Sequence, residues 1–184
     1  MNSRVLSILN LNVLVHLKTR YLEIVNEIKN YDICILQEMK FPTNSLEREN
    51  IIAQLETETD SKSYISETVR TNCTTILYKN NLANYIEETK EIYPEKILRL
   101  KICNDNYQYT ICNIHGPHTD QTAETRNTFY KTLLDDAENN TNVILTGDWN
   151  FINEVEMSTT RPIQKNQLLI ASRLEKLNFF KALD

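Results

Sequence analysis

The first third of the chain alternates short apolar runs with segments of helical periodicity. The runs over 5–11 and 33–36 predict two buried strands, which we expect to pair in parallel because a helix connects them. That helix ends near Asn30, and its apolar face is formed by Leu17, Tyr21, Ile24, Val25 and Ile28. A second helix is predicted after Asn44, because Glu47 completes a capping-box pattern. The predicted order is therefore β-α-β-α.

The middle of the chain has the pattern of antiparallel strands. Strands are predicted over 74–78 and 85–93. Three further apolar residues alternate with charged ones at period two, which predicts a half-buried strand: Leu98, Leu100 and Ile102. A polar turn over 104–106 leads into an apolar return over 107–115, so we expect a hairpin.

The last third returns to mixed α and β pattern. A helix is marked by Phe129, Leu133, Leu134 and Ala137. A buried strand over 143–145 follows, and a final helix is marked by Ile170, Leu174 and Leu177. No linker, repeat or low-complexity tract interrupts the pattern. We therefore predict one α/β domain over 1–184, with sheets covered by helices.

Composition excludes several classes of protein. With 184 residues, 41% hydrophobic and 24% charged, the chain has a soluble globular composition. No apolar run approaches the roughly 18 residues of a membrane span, and the N-terminus lacks the apolar core of a signal peptide, so an intracellular location in the nucleus or cytoplasm is expected. The net charge of −5 argues against a broad nucleic-acid surface, although a local basic groove is compatible with it.

Cysteine and glycine usage add two expectations. The four cysteines form no C-x-x-C pair, which favours buried thiols over disulfides or a zinc site. The chain contains only 2 glycines, so Gly-rich phosphate-binding loops are excluded. We expect Gly116 and Gly147 to stand where no other residue can adopt the backbone.

Four polar clusters each follow an apolar strand-like run: Asn10 with Asn12, Gln37 with Glu38, His115 with His118, and Asp148 with Asn150. Ligands of α/β proteins collect at the carboxyl ends of strands, so these side chains are candidates for one site. Glu38 is either a ligand for a hard cation such as Mg²⁺ or Mn²⁺ or an exposed strand-end carboxylate.

The two later clusters suggest phosphate chemistry. Period two places Asp148 and Asn150 on one side of the strand end and Trp149 on the other, in the core. An aspartate can orient or deprotonate a water, and an asparagine can donate to a phosphoryl oxygen; the alternative is an Asx-turn that closes the strand. For His115 and His118, polar contacts to an anionic substrate are favoured over zinc binding.

Four segments together resemble the endonuclease/exonuclease/phosphatase family in sequence, order and spacing: 8–12, 32–38, 113–118 and 145–150. Within that family the chain is most similar to the endonuclease domain of LINE-type (non-LTR) retrotransposons, including the helix start at 126–129 and the stretch from Arg161 to Asp184. The resemblance implies a four-layer α/β sandwich of the DNase I type, with two mixed sheets covered by helices. It also implies Mg²⁺-dependent hydrolysis of a phosphodiester, with DNA as the partner.

The resemblance assigns roles to the polar clusters. Glu38 matches the family's metal ligand, and Asn10 the asparagine that supports the metal and phosphate site. Asp148 matches the residue that positions or activates the nucleophile, and Asn150 the contact to the scissile phosphate. His115 stands where the family has a tyrosine and is assigned to the catalytic set. Further substrate contacts are expected from Asn12, His118 and Lys40, and additional basic candidates are Lys18, Arg20 and Arg161.

One departure concerns the C-terminal part of the family's pattern. The family completes its site with a further Asp and a Ser-Asp-His motif, and neither occurs before Asp184. The resemblance therefore implies a domain that is incomplete at its C-terminus, with a truncated second sheet and impaired catalysis. Two alternatives stay open: a non-catalytic retroelement remnant that binds metal or nucleic acid, and a phosphatase-type member acting on a small phosphoester or a lipid phosphate. The oligomeric state stays undetermined.

Overall fold

The apolar runs and helical patterns of the sequence fold into two sheets with helices on their outer faces. The computed structural model describes residues 6–14, 17–67, 73–104, 107–118 and 120–150. Within them the elements are β1 (Ile8–Asn12), α1 (Leu17–Ile28), β2 (Ile33–Met39), α2 (Ser45–Thr59), β3 (Ser61–Ile65), β4 (Cys73–Lys79), a 3₁₀ turn (Asn80–Tyr85), β5 (Ile86–Tyr93), β6 (Ile97–Cys103), β7 (Gln108–His115), α3 (Ala123–Glu138) and β8 (Val143–Asp148).

Both sheets are mixed. In the described residues, the first sheet has the order β1-β2-β4-β3 and the second the order β5-β6-β7-β8. The first two strands pair in parallel, as predicted, and β7 pairs in parallel with β8. The other neighbours are antiparallel, including the predicted hairpin of β6 and β7. Parallel pairing places the carboxyl ends of β1 and β2 side by side, and likewise those of β7 and β8.

Three hydrophobic layers separate four layers of secondary structure. On β2, Cys34 and Leu36 pack with residues of α1 and α2, whereas Ile33 and Ile35 pack between the two sheets. Leu98, Leu100 and Ile111 of the second sheet complete that middle core. The outer face of the second sheet packs against α3 through a cluster that contains Cys112, Ile114, Phe129, Leu133 and Leu134. The predicted four-layer α/β sandwich is confirmed.

The described helices follow the predicted patterns, apart from the start of the third helix. Asn44 caps α2, since its Oδ1 accepts a hydrogen bond from the backbone N of Glu47 at 3.0 Å. The third helix begins at Ala123 rather than at Arg126, because Thr122 accepts from the backbone N of Thr125 and caps it there. The predicted final helix at 170–177 lies outside the described residues.

Two strand predictions need correction. The strand β3 escaped sequence analysis, because this edge of the sheet is built from largely polar residues without an apolar alternation. Tyr85 belongs to the 3₁₀ turn and not to β5.

Of the cysteines, three are buried as expected, whereas Cys103 is exposed at the end of β6. None of the described helices is long and apolar enough to cross a bilayer.

Candidate active site

The side chains of Asn12, Glu38 and Asp148 meet where strands of the two sheets end. The Nδ2 group of Asn12 donates to Glu38 Oε1 at 3.2 Å and to Asp148 Oδ2 at 2.9 Å. An amide donor between two carboxylates offsets part of their mutual repulsion. Asn12 Oδ1 is buried and has no hydrogen-bond partner among the described residues. The two carboxylates therefore form a pair, and the free amide oxygen of Asn12 lies close to them.

Glu38 owes its direction to a bulge in β2. The pairing of β2 with β4 joins Leu36 to Thr75, then shifts register and resumes at Met39 and Cys73. Within the bulge Glu38 has a φ of 54°, in the left-handed region that non-glycine residues rarely adopt. Bulges next to active sites re-aim side chains, and such backbone strain concentrates at functional sites. Here the result is a carboxylate that faces Asp148 from a strand whose other residues are mostly buried.

Asp148 combines the two interpretations left open by the sequence. Its Oδ1 accepts a hydrogen bond from the backbone N of Asn150 at 2.9 Å, which is an Asx-turn, while its Oδ2 accepts from Asn12 in the cleft. The Nδ2 group of Asn150 donates to the carbonyl oxygen of Gly116 at 2.7 Å. Trp149 packs on the core under α3, on the opposite side, as predicted. The turn thus fixes the carboxylate and ties the two strand ends together.

His115 presents one ring nitrogen to this cleft. Its Nδ1 lies 3.2 Å from Lys96 Nζ, and because an ammonium group only donates, Nδ1 accepts and the ring proton lies on Nε2. That Nε2 is buried, lies 3.8 Å from Glu38 Oε1 and has no hydrogen-bond partner among the described residues. His115 therefore presents a hydrogen-bond donor to the cleft. His118 stacks edge-on against it, with ring centroids 5.8 Å apart, and is exposed.

Burial controls the charge of His115. It lowers the pKa of His115 from 6.5 to about 4, aided by Lys96 and, to a smaller extent, by His118, and opposed by Glu38 and Asp148. Burial also lowers the pKa of Lys96, against the opposing influence of Glu95, Glu38 and Asp148. The imidazole is consequently neutral at physiological pH.

This pKa shift predicts a pH dependence of stability. Between pH 6.5 and about 4 the imidazole of His115 is protonated in the unfolded chain but stays neutral in the folded chain. The free energy of unfolding therefore falls as the pH is lowered through this range. The slope from one such group is at most about 1.4 kcal/mol per pH unit. Urea unfolding of the metal-free protein at several pH values, compared with the His115→Gln variant, measures it. Equal slopes for the two proteins would refute the assignment.

The remaining predicted site residues are less closely placed. Asn10 is exposed and its Oδ1 accepts from Gln37 Nε2 at 2.9 Å, so Asn12 is the asparagine that contacts the carboxylates. Lys40 follows β2 and is partly exposed. Arg20 forms an exposed ion pair with Glu23 at 2.5 Å. The side chain of Lys18 and all of Arg161 lie outside the described residues.

Lys96 is the residue of the site that sequence analysis missed. It lies in the turn between β5 and β6, remote in sequence from the four polar clusters. Its backbone carbonyl accepts from His115 N at 2.8 Å, so the same residue holds both the backbone and the ring of His115. No motif marks it, and only the pairing of β6 with β7 brings it to His115.

The donor set suits a hard divalent cation. Glu38, His115 and Asp148 each offer a ligand atom, all within 4.8 Å of one another. Since the proton of His115 lies on Nε2, the usable donors are the carboxylate oxygens and the unpartnered Asn12 Oδ1. Oxygen donors of this kind are the ligands that Mg²⁺ and Mn²⁺ prefer. The residues therefore fit the metal that the family resemblance implies.

Comparisons with known proteins agree with this fold. The Endonuclease/Exonuclease/phosphatase family matches residues 9–156, and the chain belongs to that family. Its members are hydrolases, mostly nucleases or phosphatases. A comparison with curated protein sequences finds no match.

Three solved structures illustrate the likeness in fold. Truncated TDP2 from Caenorhabditis elegans is 20% identical, with a TM-score of 0.63 over 87% of this chain and 66% of that one. An AP endonuclease from Archaeoglobus fulgidus is 14% identical, with a TM-score of 0.64 over 94% and 71%. The endonuclease domain of TRAS1, a telomere-specific non-LTR retrotransposon, is 13% identical, with a TM-score of 0.61 over 94% and 72%. The chain spans about half the length of other C. elegans TDP2 structures.

Proposed function

We propose that this chain is a divalent-metal-dependent phosphodiesterase of the endonuclease type, derived from a retrotransposon and acting on DNA in the nucleus or cytoplasm. The observation that carries the proposal is the meeting of Glu38, Asn12 and Asp148 at the strand ends of an endonuclease/exonuclease/phosphatase fold. We also take residues 1–184 as one domain of this type, which corresponds to part of the length of solved relatives.

Charge supports a phosphodiester substrate. The carboxylates of Glu38 and Asp148 outweigh the ammonium group of Lys96, so the site is negative without metal and becomes positive when a divalent cation is present. A positive site recruits a phosphate group, and its half-buried walls strengthen that attraction. When bound, the cation neutralises charge on the phosphate and lowers the pKa of a coordinated water.

The roles of the side chains follow from their positions. Glu38 and Asp148 hold the cation through oxygen atoms, and Asp148 also orients the attacking water and takes up its proton. The water oxygen bonds to phosphorus while the bond from phosphorus to the leaving oxygen breaks, and the leaving oxygen keeps the electron pair and takes a proton from a solvent water. His115 Nε2–H donates to a non-bridging phosphoryl oxygen, as does the second N–H of the Asn150 amide, and Asn10, His118 and Lys40 contribute contacts to the flanking substrate.

Two classes of substrate are candidates for this site. The D. rerio TDP2 structure contains a single-strand DNA product, and TRAS1 is a retrotransposon endonuclease; both favour DNA. A second candidate substrate, a small phosphoester, is favoured by the likeness to ANGEL2, a 2′,3′-cyclic phosphatase, which has a TM-score of 0.59.

A comparison of substrates tests the proposal. The purified chain is incubated in Mg²⁺ or in EDTA with supercoiled plasmid, with p-nitrophenyl phosphate and with a phosphoinositide. We expect metal-dependent conversion of plasmid to open circles and no release of p-nitrophenol or inorganic phosphate. Hydrolysis of the small or lipid phosphates without nicking would instead establish the phosphatase alternative. If the chain is active in none of the assays, the proposal is overturned in favour of the non-catalytic remnant.

A further inference from the structure

A buried amide connects the two sheets directly behind Glu38. Asn113, on β7, is fully buried, and its Nδ2 donates to the carbonyl oxygens of Leu36 and Thr75, each at 2.9 Å. Its Oδ1 accepts from Gln37 Nε2 at 2.8 Å. All three bonds reach from the second sheet to the first. The amide therefore uses its donor group on the backbone of two paired strands, β2 and β4, and its acceptor on the Gln37 side chain.

These contacts lie at the start of the bulge that aims Glu38. Leu36 and Thr75 form the last regular pair of β2 with β4 before the register shifts. Asn113 binds the carbonyl of each member of that pair, where the ladder is interrupted. Gln37, the next residue, is also fully buried and bonds to Asn10 Oδ1 at 2.9 Å, which extends the link to β1. The two amides thus connect four strands at the base of Glu38.

Apolar side chains alone could fill the space between the sheets, so the presence of two buried amides there needs a specific reason. The neighbouring side chains between the sheets are apolar, among them Ile35, Ile76 and Ile111, and burying an amide among them costs free energy unless it is fully bonded. Asn113 is bonded at both its donor and its acceptor atoms, whereas Gln37 Oε1 is buried with no hydrogen-bond partner among the described residues. Glu38, in turn, has a strained φ of 54°, which persists only where the surroundings hold it. The amides supply that restraint at the point of strain.

We infer that Asn113 and Gln37 are positioning residues of the metal site. They hold the bulge in the conformation that points the Glu38 carboxylate at Asp148 and Asn12. The inference deepens the proposed function and rests on it, because it assigns the two amides to the affinity for the divalent cation. Outer groups that orient metal ligands typically change metal affinity by about 10- to 100-fold when they are removed.

Calorimetric titration with Mn²⁺ measures this affinity directly. We expect Asn113→Leu to raise the Kd for Mn²⁺ by about 10- to 100-fold. The matched control is Thr110→Val, which removes another buried polar group from β7, away from the bulge. It should leave the Kd unchanged. Thermal unfolding of each metal-free variant shows whether it is folded, and if Asn113→Leu is not, the Gln37→Met variant is compared in the same way.

The outcomes separate the inference from the proposed function. A folded Asn113→Leu protein with the wild-type Kd overturns the inference and leaves the metal site in place. An equal loss in Thr110→Val shows a general effect of core damage and also overturns it. Absence of Mn²⁺ binding by the wild type overturns the proposed function itself, and the positioning role with it. A raised Kd confined to the amide variant supports both.

Discussion

Replacement of Glu38 by Gln lowers the rate of plasmid nicking by a factor of about 10³ or more, on the scale seen when one member of a cooperating catalytic unit is removed. The substitution keeps the size of the side chain but removes the negative charge that faces Asp148. Without that charge the site has one carboxylate opposite the ammonium group of Lys96, and its attraction for a divalent cation falls sharply. The loss should appear in metal binding as well as in rate.

The matched control for this prediction is Glu49→Gln. Glu49 lies on α2, is exposed, and undergoes the same chemical change away from the cleft. Its nicking rate and Mn²⁺ affinity should equal those of the wild type. If Glu38→Gln retains wild-type affinity for Mn²⁺ while folded, Glu38 is not a metal ligand and the account of the site is wrong.

Substitution of Gly147 by Ala destabilises the fold by about 3 kcal/mol or more, because steric overlap and backbone strain act together at this position. Gly147 has a φ of 132°, which L-residues rarely adopt. A Cβ there would overlap the carbonyl oxygen of Ile114 and lie 2.7 Å from its backbone N. Since Ile114 belongs to the paired backbone of β7, it cannot move aside without separating β7 from β8.

The damage should extend to the active site. Gly147 pairs with Ile114, and the next pair is Asp148 with His115, so separation of the strands displaces both site residues. Urea unfolding and plasmid nicking measure the two effects. Thr146→Ala, the preceding position on the same strand, is the control and should change both much less. A Gly147→Ala protein as stable as the wild type would show that the β7–β8 contact is looser than described.

The sequence predicted the site where apolar runs end in polar residues. Glu38, His115 and Asp148 are predicted because each stands at the end of an apolar run. Parallel pairing of β7 with β8 brings His115 to Asp148, and packing of the two sheets brings Glu38 to both. The rarity of glycine also predicts that Gly116 and Gly147 stand where other residues would not fit. At Gly116 a Cβ would collide with the backbone carbonyl of Trp149, and at Gly147 with that of Ile114. Both glycines thus lie where the carboxyl-terminal ends of β7 and β8, with the residues that follow them, touch.

Features that depend on register could not be predicted in this way. Period two places Asn10 and Asn12 on the same side of β1, and only the pairing with β2 decides which of them reaches the carboxylates. The bulge at Glu38 cannot be predicted from the hydrophobic pattern, because polar residues such as Gln37 and Glu38 are also found at the ends of regular strands. Lys96 belongs to the site through a tertiary contact that joins residues distant in sequence.

The central claim is that Glu38 and Asp148 form a metal site that cleaves the phosphodiester backbone of DNA. Its most direct test is a time course of supercoiled plasmid with the wild type and with Asp148→Asn, each in Mg²⁺ and in EDTA. We expect open circles for the wild type in Mg²⁺ only, and a rate lower by about 10³-fold or more for the variant. Equal nicking by both proteins, or nicking by the wild type in EDTA, would contradict it.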